Sequence, residues 1–206
     1  MARVSKSTSK SKTKSATNER RNKILVSVAL CIAVFGVGLM LLRAFGLLRP
    51  FSVPSAAMEP TLVSGDYVMM EGVTYLFCKP RRGDLVVFKT DGIASLPPGN
   101  VLSQRVAGSP GETLRLVNGK LLVNEQPVSL QSSTGAIQYV YLPSSYAKYL
   151  LTSNDTVTVP TNSIFVLGDN SAASSDSRVW GFVPGTNVLG RVWFRYSPPE
   201  RVGMVR

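Results

Sequence analysis

The sequence predicts a mainly β outer domain, an antiparallel barrel or sandwich, carried on one N-terminal transmembrane helix. Three observations predict it. The stretch Ile24 to Leu42 contains no charged residue. After residue 50 the chain breaks into short β-rich runs between turn signals. One of those turns, Asn118-Gly119, sits between Arg115-Leu116-Val117 and Lys120-Leu121-Leu122. It is a strong hairpin signal, because both central residues of a type I′ turn need φ > 0.

Residues 1–23 come first. They hold eight cations, Arg3 to Lys23, against the single anion Glu19. Most of the chain's formal charge of +11 therefore sits in this tail. Rich in Ser, Thr and Lys and without apolar periodicity, it is expected to be a disordered cytoplasmic segment. Residues 24–45 follow as the anchor. At about 1.5 Å per residue, Ile24–Leu42 spans roughly 28 Å, close to the hydrocarbon thickness of a bilayer. A cleaved signal peptide would have a shorter apolar core, about 7–15 residues, followed by a small-x-small site. Arg43-Ala44-Phe45-Gly46 fits that poorly. A buried soluble helix would not need apolar residues on every face. Cations gathered before the span place the N-terminus in the cytoplasm and residues 46–206 outside.

In the outer domain the expected strands are Tyr67–Met70, Asp84–Lys89, Val101–Ala107, Thr113–Val117, Lys120–Val123, Thr156–Val159, Ser163–Leu167 and Val188–Tyr196. Strands at this spacing suggest an all-β barrel or sandwich. Residues 127–154 are less regular and read as an insertion or small subdomain. Their tyrosines, Tyr139, Tyr141, Tyr146 and Tyr149, read as packing residues.

Composition excludes several chemistries. The chain has no histidine, which removes Ser-His-Asp and Cys-His mechanisms and the commonest metal ligand. Its two cysteines fall in different regions and form neither a disulfide framework nor a metal cluster. No metal and no cofactor is expected. Because the basicity belongs to the tail and not to a domain face, no nucleic-acid partner is expected; the tail's cations suit anionic membrane lipid.

Four separated boxes carry the functional signal. They are Pro54-Ser55-Ala56-Ala57-Met58-Glu59-Pro60-Thr61-Leu62; Arg82-Gly83-Asp84-Leu85-Val86-Val87-Phe88; Leu102-Ser103-Gln104-Arg105-Val106-Ala107-Gly108-Ser109-Pro110-Gly111-Glu112; and Gly168-Asp169-Asn170-Ser171-Ala172-Ala173-Ser174-Ser175-Asp176-Ser177-Arg178. In order and spacing they resemble type I signal peptidases, the bacterial membrane proteases that remove secretory leader peptides with a serine–lysine dyad. The closing Gly190–Tyr196 run resembles that family's last strand.

The resemblance implies a signal-peptidase-like β fold in the bacterial cytoplasmic membrane and serine endopeptidase activity. It puts the nucleophile at Ala57, the general base at Gln104, an oxyanion donor at Ser55 and a base-orienting hydroxyl at Ser174. Val53, Met58, Leu62, Leu102 and Ser103 would line the substrate groove. Asp169, Asp176, Arg178 and Arg105 would form supporting polar contacts. A serine–lysine protease needs a hydroxyl nucleophile and a neutral lysine base. Alanine and glutamine supply neither, and Ser171 replaces a family arginine.

An engineered Ser→Ala exchange would alter position 57 alone. Three departures on catalytic boxes favour a catalytically inactive homologue that binds leader peptides or works in a membrane complex, with an active paralogue as a further partner. The alternative is a signal peptidase I that cleaves secretory signal peptides. In extended backbone, residues two apart face one side, so Ser55 and Ala57 are expected to point together. A peptide would then add as a strand between Val53–Met58 and Leu102–Arg105.

Overall fold

The structure, a computed structural model, describes residues 7–205. The chain divides into two compact units between Phe45 and Gly46. The first is one helix, α1 (Ser7–Ala44). The apolar part, within Glu19–Ala44, has a mean hydropathy of 2.8 and none of it is buried, as suits a bilayer span and not a core helix. Of the tail expected to be disordered, residues 1–6 lie outside the described residues, and Ser7–Lys23 are helical instead. Extending an existing helix avoids the costly nucleation step, and Lys, Arg, Ala and Glu are good helix formers. Glu19 and Lys23 add an i,i+4 ion pair at 2.9 Å.

The second unit is mainly β. Its strands are β1 (Leu48–Ser52), β2 (Tyr67–Glu71), β3 (Leu85–Lys89), β4 (Val101–Gly108), β5 (Thr113–Val117), β6 (Lys120–Val123), β7 (Gln126–Val128), β8 (Gln131–Ser132), β9 (Gly135–Ala136), β10 (Val157–Thr158), β11 (Ser163–Leu167), β12 (Val183–Pro184), β13 (Val188–Ser197) and β14 (Gly203–Met204). One short helix, α2 (Ser177–Trp180), starts at Asp176, whose side chain accepts from Arg178 N. The large antiparallel sheet runs β1-β2-β13-β3-β4-β11-β12, with β14 on β13; a smaller sheet runs β10-β5-β6-β7. The long β13 bonds β2 and β3 on either side, joining distant parts of the chain.

Period-2 alternation explains how this sheet is covered on both faces. Along β3, Leu85 and Val87 enter one core with Val53, Met58, Leu62, Val68 and Val192. Val86 and Phe88 enter another with Val106, Ile164, Val166 and Trp180. The smaller sheet makes a third core, in which Leu114, Leu116, Leu121 and Val123 meet Phe165 and Leu167. Asn118 and Gly119 have φ of 49° and 77°, as their type I′ turn requires.

Segment 127–154 contributes Leu130, Ile137, Tyr139 and Leu150 to that third core. Tyr139 is buried and Tyr149 packs at the edge, while Tyr141 donates to Leu116 O at 2.7 Å. Tyr146 is exposed.

Candidate active site

The first box does not run extended. Ser55 is extended, with φ −136° and ψ 159°, but Ala56–Met58 form a 3₁₀ turn. Glu59 N donates to Ala56 O at 3.1 Å and Leu62 N to Met58 O at 2.9 Å. Met58, at the end of this turn, is buried in the core. Ser55 and Ala57 therefore lack the strand relationship expected of them. Val53 is also spent: its N–H donates to Asp66 O and its carbonyl accepts from Gly65 N, both at 2.9 Å. It cannot offer that edge to an added strand.

The opposite wall is a strand edge. Thr90 N donates to Asn100 O and Val106 N to Asp84 O, and β4 pairs β3 in register from Leu85–Arg105 to Lys89–Val101. Antiparallel alternation then turns the backbone groups of Val101, Ser103 and Arg105 away from β3. The neighbour on that side, β11, reaches only as far as Arg105, opposite Leu167. Val101 and Ser103 thus present an open edge.

Between this edge and the first box lies a cavity of about 310 Å³. Of the groove residues expected, Val53, Met58, Leu102 and Ser103 line it, together with Ser55, Ala57 and Gln104. Leu62 does not; it is 0% exposed, inside the core. The 3₁₀ turn and the Met58–Leu62 bond carry it there. Unforeseen lining comes from Phe51, Val68, Val87, Leu96, Val192 and Ser175, among others. Apolar residues of β2, β3 and β13 read as core in a linear sequence; nothing local marks the ones at a groove floor.

Positions 57, 104 and 174 converge. Gln104 Nε2 donates to Ser175 O at 2.8 Å and to Ser174 Oγ at 3.4 Å. Asn170 N donates to Ala57 O at 3.1 Å. Gly168 allows the close approach: a Cβ there would meet Ser174 Oγ at 2.2 Å and Ala57 O at 2.6 Å.

Two buried ion pairs hold the supporting loop. Arg105 grips Asp169 bidentately, Nε to Oδ1 at 2.7 Å and Nη2 to Oδ2 at 2.6 Å, while Thr61 Oγ1 donates to the same carboxylate at 2.5 Å. Arg178 grips Asp176 in the same manner, at 2.9 and 2.7 Å. Asp176 also accepts from Gly168 N at 3.1 Å. Ser171 has a structural part here: its Oγ accepts from Arg178 Nη1 and from Val140 N, each at 2.9 Å, and its carbonyl accepts from Arg178 Nη2 at 2.8 Å.

Chemically, the groove offers hydroxyls and an amide on an apolar floor. Ala57 carries no hydroxyl, and a glutamine amide takes up no proton near neutral pH. Ser55 and Ser103 bring hydroxyls, but among the described residues no charged side chain, and so no lysine, lines the groove. Lys89 ends β3, exposed, and Lys79 lines a different cavity.

Comparison with known proteins points to one family. Residues 23–197 match the family model described as signal peptidase, peptidase S26. A signal peptidase I from Leptolyngbya laminosa is 35% identical over 175 residues, covering 81% of this chain and 79% of its own. A probable signal peptidase I-1 from Synechocystis is 34% identical, with 90% and 86% covered. A crystal structure of a signal peptidase I from Enterococcus faecalis aligns with 55% of this chain and 97% of its own, at 28% identity and a TM-score of 0.41.

Proposed function

This chain belongs to the signal peptidase family, peptidase S26, and from that premise we propose that it holds signal peptides of secreted preproteins without performing serine–lysine hydrolysis. One observation supports the reading: a groove with an open β4 edge and a supporting loop held by buried ion pairs is lined by Ala57 and Gln104, the two positions that the resemblance assigns to nucleophile and base. A bound peptide pairs its backbone with Val101 and Ser103. Its small side chains enter the apolar floor of Val53, Met58 and Leu102. Ser55 lies where an oxyanion donor would serve, and Ser174 where it would orient a base; with neither oxyanion nor base, both become packing and hydrogen-bonding partners. The basic N-terminus lies in the cytoplasm against anionic lipid, and the β domain lies across the membrane. A chain that binds leaders without cutting them suits a membrane complex with an active paralogue.

The relatives favour a second reading. Two similar proteins are named signal peptidase I and probable signal peptidase I-1 and match four fifths of this chain or more, and by that likeness it cleaves signal peptides. Ser55 or Ser103 would then supply the nucleophile.

The test uses the full chain in detergent with a preprotein carrying a small-x-small site. We expect a leader peptide to photocrosslink from position 53 or 102 above a scrambled control, with no cleavage. Turnover that disappears in Ser55→Ala or Ser103→Ala would replace the first reading with the second. Ala57→Ser combined with Gln104→Lys should raise cleavage by at least about 10³-fold, whereas neither single change suffices, because nucleophile and base act as a unit. A folded but silent double variant would contradict an intact groove.

A further inference from the structure

We infer that Gln104 is a recognition residue, whose side-chain oxygen accepts a hydrogen bond from a serine hydroxyl on the bound peptide. The inference rests on the peptide-holding reading above and names what that groove selects. Gln104 is 3% exposed yet contributes to the groove lining. Its amide orientation is set by Ser175 O, an acceptor that demands the nitrogen. That leaves Oε1 buried with no hydrogen-bond partner among the described residues. A buried acceptor without a donor is costly, and folded proteins leave few of them. A ligand that pairs it gains affinity from the same atom.

The lining narrows the donor. With no charged residue in the groove, an ammonium or guanidinium would be buried without a counter-ion, at a heavy desolvation cost. An added strand keeps its N–H groups in the plane of the sheet, half of them turned toward the edge at Val101 and Ser103, whereas the Gln104 side chain stands off that plane. A neutral side-chain donor remains, and it must be short. Ala57 and Gln104 line the same groove; Ala57 O and Ser174 Oγ both crowd Gly168, and Ser174 Oγ is 3.4 Å from Gln104 Nε2. Alanine at position 57 leaves free the room a serine oxygen would fill. A serine on the ligand fits there. The peptide returns the hydroxyl that the chain lacks, and Gln104 accepts its hydrogen bond without taking its proton.

The experiment measures binding of three labelled leader peptides to the full-length protein in detergent by fluorescence anisotropy. One has alanine at both small positions of its small-x-small site; the other two carry serine at one position or the other. On the natural chain, one serine peptide should bind about tenfold more tightly than the alanine peptide. In Gln104→Met, similar in shape but without the acceptor, that preference should vanish, whatever happens to overall affinity. Equal binding of all three by the natural chain overturns the inference and leaves the peptide-holding reading standing. A serine preference that survives in Gln104→Met also overturns it. Binding of none of the three overturns both. The comparison on the natural chain decides the matter even where the methionine variant fails to fold.

Discussion

Gly168→Ala tests whether the site is held together as described. A methyl at that position would sit 2.2 Å from Ser174 Oγ, 2.4 Å from Ser174 Cβ and 2.6 Å from Ala57 O. Carbon contacts relax at about 3.5–4.0 Å, so roughly 1 Å of separation has to be found. Rotating the Ser174 hydroxyl would relieve only the first contact. The other two involve a β-carbon and a backbone oxygen, so main chain must move. Asn170 N bonds Ala57 O and Asp176 bonds Gly168 N, so the strain passes into both walls. Overpacking of this kind costs about 2 kcal/mol, which for a domain of this size lowers Tm by about 4–8 °C. The assay is thermal unfolding in detergent, beside Gly203→Ala, whose methyl would meet nothing within 4 Å. Leader-peptide binding should weaken in the first variant and hold in the second. An unchanged Tm for Gly168→Ala would refute the close packing of positions 57, 168 and 174.

Two further outcomes are expected. Arg178→Met leaves the Asp176 carboxylate at 0% exposure without its partner and removes donors from Val140 O and Ser171; urea unfolding should show a loss of about 3–5 kcal/mol, and a loss below about 1 kcal/mol would contradict the pairing. At Asp66, burial disfavours the carboxylate, but Arg201, Val63 N–H and Arg195 outweigh it and hold the pKa below its ordinary 3.8. Its stabilisation is then present above the unfolded value and lost as pH falls through the lower folded one. The Tm gap between the natural chain and Asp66→Asn should be constant above about pH 5 and close toward acid; a gap unchanged at about pH 2 would sink the assignment.

Local chemistry made much of the β domain legible. Strands β5, β6 and β11 have the expected bounds, and the turn between β5 and β6 follows from Asn118-Gly119 alone. The elements that escaped are those that owe their form to partners. β1 contains Arg49 and Pro50 and shows no clean alternation; among the described residues it is an edge strand paired with β2 alone, where proline is tolerated. β7, β8 and β9 are two or three residues long, too short for a period to show. The 3₁₀ turn at Ala56–Met58 forms because Met58 has a core to enter, and that core is built from β2, β3 and β13.

What the sequence determined by itself is covalent and local: an apolar span, a chain without histidine, four ordered boxes, and side chains at positions 57 and 104 that lack a hydroxyl and a base. No fold can restore an atom that a residue does not carry. Tertiary structure alone decided which residues face the groove. It put Leu62 in the core, left Val101 and Ser103 at an open edge, paired Arg105 with Asp169 sixty-four positions away, and left Gln104 Oε1 buried without a donor among the described residues. Each of these depends on a neighbour supplied by a distant strand or loop. Burial and hydrogen bonding are properties of such pairs, and only the folded chain brings the pairs together.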